Sequence, residues 1–194
     1  MISIIAVLAV VVVFGLQGGG RGFTVGQAVD QAASVVEQAR MEAMSLRLGA
    51  KLIIDNDSGS DDRLRRMAVL KPHVNPSDGQ QDGWRLGTRP LALPDGVYLL
   101  ENYSGGFIEN ERYDFRSGDT QDGTSGIRCL VLEFDRAGRL VGSEGARMVF
   151  SRALEAGALP PPDMLAGRQG FVVRKYGAPA FFQKPEQMTP SAQP

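Results

Sequence analysis

The first sixteen residues constrain this 194-residue chain more than any other stretch. The run from Met1 to Leu16 contains no charged residue, and its only polar side chain is that of Ser3. Of the fifteen residues from Ile2 to Leu16, thirteen are aliphatic or phenylalanine. No face of a helix or strand built from them tolerates water, so the segment must be buried in lipid or in other protein. A helix of this length covers roughly 24 Å, short of the ~30 Å hydrocarbon core of a bilayer, and the segment therefore reads as incomplete at its front end.

A glycine cluster separates this apolar segment from an amphipathic pattern. Glycines at 18, 19, 20 and 22 predict a hinge or unwound stretch over residues 17–23. From Thr24 onward, apolar residues recur at steps of three and four, which predicts a helix over about residues 24–48 that ends near Gly49. Its opposite face is polar and is expected to face solvent. The residues predicted to pack this helix on a sheet are Val25, Val29, Ala32, Val36 and Leu46.

Short apolar and β-branched runs after residue 50 predict six strands, at 51–55, 65–71, 97–101, 127–134, 146–154 and 170–176. The acidic stretch 55–62 has the composition of a hairpin loop, and Asp135 to Gly138 that of a tight turn. These elements predict an α+β fold in which one helix packs on a mostly antiparallel sheet. The sheet residues expected beneath the helix are Ile53, Val69, Leu99, Leu130, Leu132 and Val149.

The same patterns divide the chain into four parts. They are an apolar helix (1–16), a glycine-rich hinge (17–23), a globular domain (24–183, with its helix at 24–48 and its β-domain at 50–183) and a tail (184–194). The tail is too polar and rich in proline to fold by itself.

Charge and cysteine content exclude several classes of function. With 21 basic and 22 acidic residues, the net charge of −1 gives no electrostatic argument for nucleic acid or for an acidic substrate. Cys129 is the only cysteine, so no internal disulfide can form. Its apolar neighbours favour a buried packing role over a reactive thiol.

Two loops resemble ligand-binding motifs, but their spacing is wrong. The glycine cluster lacks the spacing of a dinucleotide fingerprint, because the sixth position counted from Gly18 is Phe23. Asp55 and Asp57 begin a pattern that is similar to a calcium loop, but the glycine falls at position five and Arg66 occupies position twelve. A solvated hairpin turn is the favoured interpretation.

Histidine content argues against the common catalytic and zinc sites. His73 is the only histidine, and no nucleophile motif accompanies it. One histidine and one cysteine cannot assemble the usual zinc ligands within one chain. The sequence therefore predicts no catalytic residue, no metal and no cofactor, although chemistry based on carboxylates alone stays open.

Basic residues near the last predicted strand leave one binding alternative open. Arg168, Arg174 and Lys175 lie close in sequence to Phe171 and Tyr176, as in surfaces that contact nucleic acid. At this net charge a solvated strand face is the favoured interpretation.

Four stretches together resemble the type IV pilin-like proteins: ISIIAVLAVVVV (2–13), GQAVDQAASVVEQARMEAMSLR (26–47), GWRLGTRPLALPDGVYL (83–99) and LVLEFDRAGRLV (130–141). Within that family, the later two stretches are similar to the tryptophan, Leu-Pro-x-Gly and Phe-Asp-x-x-Gly features of the minor pseudopilins of type II secretion. These form the H-like group, which includes the FimT-type minor pilins. The resemblance spans most of the chain.

The resemblance implies a fold and a function. The fold is a long N-terminal helix, with an apolar half and an amphipathic half, packed on a mostly antiparallel sheet. The function is that of a non-enzymatic minor pseudopilin, a single-pass protein of the bacterial inner membrane with its globular domain in the periplasm. Such a subunit assembles through its helix with other pilin-like subunits and the assembly machinery, into a type II secretion pseudopilus or a type IV pilus-like filament. The residues that would form the membrane or filament core are Ile2, Ile4, Ile5, Val7, Leu8, Val10, Val11, Val12, Val13 and Phe14.

Two other functions stay open beside this one. The chain is alternatively a membrane-anchored β-domain that binds a partner without polymerising, or a FimT-like minor pilin that binds DNA for uptake through Arg168, Arg174 and Lys175.

The resemblance also bears on the start of the chain. Members of the family carry a basic leader followed by Gly-Phe-Thr-Leu-x-Glu, and prepilin peptidase cuts after the glycine and methylates the new N-terminus. Ile2 resembles a point just beyond that glutamate. We therefore expect the gene product to extend upstream of Met1, which the nucleotides directly upstream would test.

Overall fold

The computed structural model describes residues 2–77, 79–116, 120–142, 144–158, 167–176 and 178–182, with side chains from residue 24 onward. Its elements are one long helix, ten strands and a 3₁₀ turn, Glu101–Tyr103. The helix α1 spans Ile2–Leu46. The strands are β1 (Ala50–Asp55), β2 (Arg66–Val74), β3 (Gln81–Leu86), β4 (Leu91–Ala92), β5 (Val97–Leu99), β6 (Ile108–Tyr113), β7 (Ile127–Phe134), β8 (Gly145–Arg152), β9 (Gln169–Arg174) and β10 (Pro179–Phe181).

Two antiparallel sheets lie against α1. The first has the strand order β3-β2-β1-β7-β6, with β4 pairing on β2, and the second has the order β10-β9-β8-β5. The predicted α+β class, a single N-terminal helix on antiparallel sheet, is confirmed, but the sheet is divided in two. All six predicted strands are present, as β1, β2, β5, β7, β8 and β9. The strands β3, β4, β6 and β10 were not predicted from the sequence.

The main core lies between α1 and both sheets. The face of α1 that covers them is built from small apolar residues, which let the helix approach the strands closely: Val25, Ala28, Val29, Ala32, Ala33, Val36, Ala39 and Ala43. The facing strands contribute residues such as Leu52, Ile54, Leu132 and Phe150. Four of the five predicted packing residues of α1 therefore lie in this core.

The prediction for Leu46 is wrong, because this side chain is 40% exposed. The buried stripe of α1 ends at Ala43. After Leu46 the backbone turns through Arg47 at φ 56° and Gly49 at φ 97°. A Cβ at Gly49 would lie 2.8 Å from the carbonyl oxygen of Phe134. The chain thus turns into β1 directly after Leu46, which lies beyond the buried stripe and does not pack on a sheet.

A second core covers the outer face of the first sheet, the face turned away from α1. It contains Ile53, Ala68, Leu70, Tyr113, Phe115, Cys129 and Val131. Ile53 and Val149 are buried as predicted, but not beneath the helix: Ile53 lies in this outer core, and Val149 packs with Leu100 in a third cluster. Successive side chains of a strand alternate between faces, so Leu52 and Ile54 face α1 and Ile53 faces away.

The loop between β6 and β7 crosses part of this outer core. Its Gln121 pairs with Trp84 of β3 through two backbone hydrogen bonds of 2.8 Å. The Gln121 side chain accepts from the backbone N–H of Asp114 at 2.5 Å and donates to the Asp114 carbonyl at 3.0 Å. A Cβ at Gly83 would lie 2.8 Å from the Gln121 carbonyl oxygen, so the close approach requires glycine there. The described part of this loop is therefore fastened to β3 beside the outer core.

The N-terminal part of α1 departs from expectation at the glycine cluster. Residues 17–23 are helical, so the predicted unwound stretch is not formed; glycine costs only about 1 kcal/mol per residue within a helix. A hinge at this point and the four-part division of the chain stay predictions.

Two groups of predictions lie outside the described residues. The side chains of the apolar segment, Ile2 to Phe14, are one group, and the tail 184–194 is the other. Within the part of the chain whose side chains are described, no helix is long and apolar enough to cross a bilayer.

Candidate functional site

The solvent-facing side of α1 is the candidate interaction surface of the domain. Its exposed residues are Gln27, Asp30, Ser34, Met41, Met44, Ser45 and Leu46, followed by Arg47 and Leu48 just beyond the helix end. Toward the N-terminal side the stripe is polar. Toward the C-terminal end Met41 is 56% exposed and Leu48 is 49% exposed. The surface thus changes from polar to apolar along the helix, a change that the sequence analysis, which expected a polar face throughout, did not foresee.

A tight turn from the first sheet abuts the apolar end of this surface. Its carboxylate Asp135 accepts backbone hydrogen bonds from Ala137 at 2.8 Å and Arg139 at 3.0 Å. At Gly138 the φ angle is 71°, and a Cβ there would lie 3.0 Å from the Met44 side chain. The predicted turn at 135–138 is therefore confirmed, and its glycine lets it approach the end of α1.

The three basic residues suggested for nucleic acid do not form one patch. Arg168 directly precedes β9, whereas Arg174 and Lys175 lie at its other end. Lys175 Nζ also lies 2.6 Å from a carboxylate oxygen of Glu144, and this ion pair raises its pKa. The Arg168 guanidinium stacks 5.5 Å from the ring centre of Tyr103. The strand therefore separates the charges that the sequence analysis grouped.

A buried ammonium on the outer face of the first sheet was not predicted. Lys51 is 6% exposed, and its Nζ lies 2.8 Å from Glu111 Oε2 and 3.5 Å from Glu133 Oε2. It also donates to the hydroxyl of Tyr113 at 3.1 Å and lies 4.8 Å from the ring centre of Trp84. The Tyr113 hydroxyl donates to Glu111 at 2.6 Å. Burial and the nearby carboxylates raise the pKa of Tyr113 well above its usual range.

This polar cluster joins residues that are far apart in sequence. Lys51 and Glu133 are cross-strand partners in the β1–β7 register, while Glu111, Tyr113 and Trp84 come from β6 and β3. Only the strand pairing brings them together, so no local sequence signal could have found the site.

The loop after β1 is held by an internal ion pair. Asp55 is fully buried and bonds to Arg66 Nη2 and to the Ser60 hydroxyl, both at 2.7 Å. Asp57 accepts the backbone N–H of Gly59 at 2.9 Å, which holds its pKa below the usual range. The hairpin between β1 and β2 is confirmed, but Asp55 anchors the loop instead of facing solvent.

His73 and Cys129 occupy ordinary structural positions. His73 Nδ1 lies 2.5 Å from Asp82 Oδ1 across the β2–β3 hairpin. Cys129 is fully buried in the outer core, and burial raises the pKa of its thiol to about 12. Within the described ranges, no three His, Cys, Asp or Glu side chains are placed to hold a metal ion.

Comparisons with known proteins give one structural likeness. No family model matches the sequence, and no curated protein matches it. Among solved structures, the type IV minor pilin FimU of Pseudomonas aeruginosa (strain PAO1) is similar over 81% of this chain and 87% of that chain, with 12% sequence identity and a TM-score of 0.44. A likeness at this level carries no argument about this chain.

Proposed function

We propose that this chain is a non-enzymatic, pilin-like filament subunit that its N-terminal helix holds in the bacterial inner membrane before assembly. The observation that carries the proposal is the continuity of α1 from Ile2 to Leu46. One helix contains both the apolar run of the sequence and the amphipathic half that covers two sheets. The globular domain would then lie in the periplasm. The type II secretion pseudopilus is the finer assignment, and it rests on the sequence resemblance described above.

The physical basis is that one apolar helix suits two environments. Uninterrupted apolar residues are stable in lipid, where a helix satisfies its own backbone hydrogen bonds. They are equally stable among like helices, where packing replaces contact with lipid. Among the residues whose side chains are described, the part of α1 that packs in the core runs from Val25 to Ala43, and we propose that the apolar segment before it packs against lipid or other subunits. A subunit of this kind can therefore move from membrane to filament without refolding its domain.

Membrane fractionation tests the first half of the proposal. The full-length chain should sediment with membranes in the absence of detergent and resist extraction by high salt. A matched variant that lacks residues 2–16 should remain in the supernatant with an unchanged melting temperature, because the proposal assigns these residues to the membrane or the filament and the core of the domain to residues from Val25 onward. A full-length protein that is entirely soluble and monomeric would contradict the proposal.

Cysteine crosslinking tests the second half. Single cysteines at Val7 and Val11 should crosslink neighbouring subunits under assembly conditions, whereas a cysteine at exposed Ser125 serves as the control. The native Cys129 is buried and should not contribute. Membrane association without crosslinks at either helix position would favour the alternative, an anchored domain that binds a partner without polymerising.

A further inference from the structure

Two arginines face each other across adjacent strands of the first sheet. Arg112 in β6 and Arg128 in β7 are direct partners in the antiparallel register. Like charges at such positions destabilise a sheet. Arg112 donates to the carbonyl of Gly126 at 3.4 Å, and Arg128 donates to the Asn110 side chain at 3.1 Å. Both acceptors are neutral. Within the part of the chain that the structure describes, neither arginine forms an ion pair with a carboxylate.

Both arginines line an open cleft of about 340 Å³. The loop after β1 supplies Arg63, which donates to Asn56 Oδ1 and to Glu101 Oε2, both at 3.2 Å. Among the described residues of the lining, Glu101 and Asp57 are the two carboxylates. Three arginines against two carboxylates leave the cleft with one positive charge in excess.

The position of this arginine cleft in the domain suggests its ligand. The packed part of α1 begins near Gly26, whose Cβ position lies 3.3 Å from Gln169 at the start of β9. After α1 ends, β1 runs back from Ala50 to Asp55. The next residues, Asn56 and Asp57, line the cleft. The cleft therefore lies at the end of the domain from which the N-terminal half of α1 leads away. If that half lies in a bilayer, this end faces the lipid headgroups.

We propose that the arginine cleft binds a phosphate group, namely the phosphodiester of a phospholipid headgroup, with Arg112 and Arg128 as its main ligands. Arginine pairs well with phosphate because its planar fork donates two parallel hydrogen bonds. A phosphate between the two guanidinium groups would also remove their mutual repulsion. The single excess charge favours a monoanionic diester over free phosphate, which carries about −1.5 to −2 as phosphate monoesters do at pH 7. The proposal rests on the membrane location proposed above.

The test uses the purified full-length chain in a mild neutral detergent. Dihexanoyl phosphatidylglycerol is titrated while the melting temperature is recorded, with inorganic phosphate as a separate arm. We expect phosphatidylglycerol to raise the melting temperature of the wild type at lower concentration than inorganic phosphate does. The double variant Arg112→Gln/Arg128→Gln should bind phosphatidylglycerol more weakly than the wild type, by about tenfold or more in apparent affinity. Arg136→Gln removes one exposed charge near the other end of the domain and should bind like the wild type.

A second readout separates a binding role from a structural one. Without lipid, Arg128→Gln alone should be at least as stable as the wild type, because it removes a like-charge pair. Loss of stability in that variant would overturn the proposal. The proposal would also be overturned if inorganic phosphate raised the melting temperature at the same concentration as phosphatidylglycerol, or if phosphatidylglycerol left it unchanged. A loss of affinity for phosphatidylglycerol in Arg136→Gln equal to that in the double variant would overturn it as well. These variants should still fractionate with membranes through the apolar segment. Failure of fractionation would therefore contradict the proposed function, whereas failure of lipid discrimination alone would contradict only this inference.

Discussion

Replacement of Lys51 by methionine tests the polar cluster on the outer face of the first sheet. Methionine fills a similar volume and removes only the ammonium group. That group now lies within 3.5 Å of two carboxylates, Glu111 and Glu133, and 4.8 Å from the ring centre of Trp84. Without it, the two carboxylates and the Tyr113 hydroxyl share a mostly buried site that has lost its cation.

The expected cost follows from the burial of each partner. Breaking a fully buried ion pair from one side costs about 3 to 5 kcal/mol. Here the Lys51 side chain is 8% exposed, but those of Glu111 and Glu133 are 27% and 30% exposed and can regain some water. We therefore expect Lys51→Met to lower the free energy of unfolding by about 2 to 4 kcal/mol. In a domain of this size that corresponds to a fall of roughly 4 to 16 °C in melting temperature.

The assay is urea and thermal unfolding, followed by circular dichroism. Lys71→Met is the matched control, because Lys71 is exposed on the neighbouring strand β2. Adding Glu111→Gln to Lys51→Met should recover part of the loss, since it removes one of the uncompensated charges. If Lys51→Met costs no more than Lys71→Met, the cluster does not stabilise the sheet and the reasoning is refuted.

Three further experiments test the cores and one turn by thermal unfolding or thiol labelling. Val36→Asp should destabilise the domain by several kcal/mol because it buries an unpaired charge, whereas Ser34→Asp on the exposed side should change little. Iodoacetamide should not label Cys129 at pH 8 until urea unfolds the chain, because burial raises its pKa to about 12; rapid native labelling would contradict its burial. Gly126→Ala should cost about 2 kcal/mol or more, because its Cβ would lie 2.5 Å from a backbone atom of Tyr113. Gly142→Ala, with positive φ but open space around it, should cost about half as much.

Periodicity was sufficient to predict the amphipathic half of α1 and six strands, and its failures follow a physical pattern. The strands that it missed are either mostly polar, as β3 and β6 are, or very short, as β4 and β10 are. In β6 (IENERY) a bulge shifts the register between Ile108 and Glu111, and β4 and β10 contain only two and three residues. Such strands form because a longer neighbour offers unpaired backbone groups, and this signal lies outside their own sequence.

The face to which each buried residue points was harder to predict than its burial. All six residues of β1 are buried, because α1 covers one face and the outer core covers the other. A strand covered on both faces shows no alternation of apolar and polar residues. Ile53 was therefore assigned to the helix side without evidence in the sequence, and the structure places it on the opposite side.

Strand register also explains why neither charged cluster could be predicted. Lys51 meets Glu111 across 60 positions of sequence, and Arg112 meets Arg128 only because the β6–β7 loop has a particular length and a bulge precedes Glu111. The candidate surface on α1 was easier to infer, since its helical spacing is local. Its apolar end was missed because the whole side of the helix opposite the apolar stripe was expected to be polar, and Met41 and Met44 lie on that side.

Strand alternation gives these two clusters a common origin in β6. Glu111 and Arg112 are consecutive, so their side chains lie on opposite faces of the sheet, and the carboxylate cannot neutralise its neighbour's charge. On the outer face Glu111 meets the buried ammonium of Lys51, which is satisfied within the chain. On the face toward α1, Arg112 meets a second arginine and donates its hydrogen bond to a neutral acceptor. The Asp57 carboxylate of the same cleft attracts it without forming an ion pair. Attraction inside the protein accounts for the first arrangement. The second leaves positive charge at the end of the domain where the apolar half of α1 leads away, and an anionic group from outside the chain would supply the missing attraction.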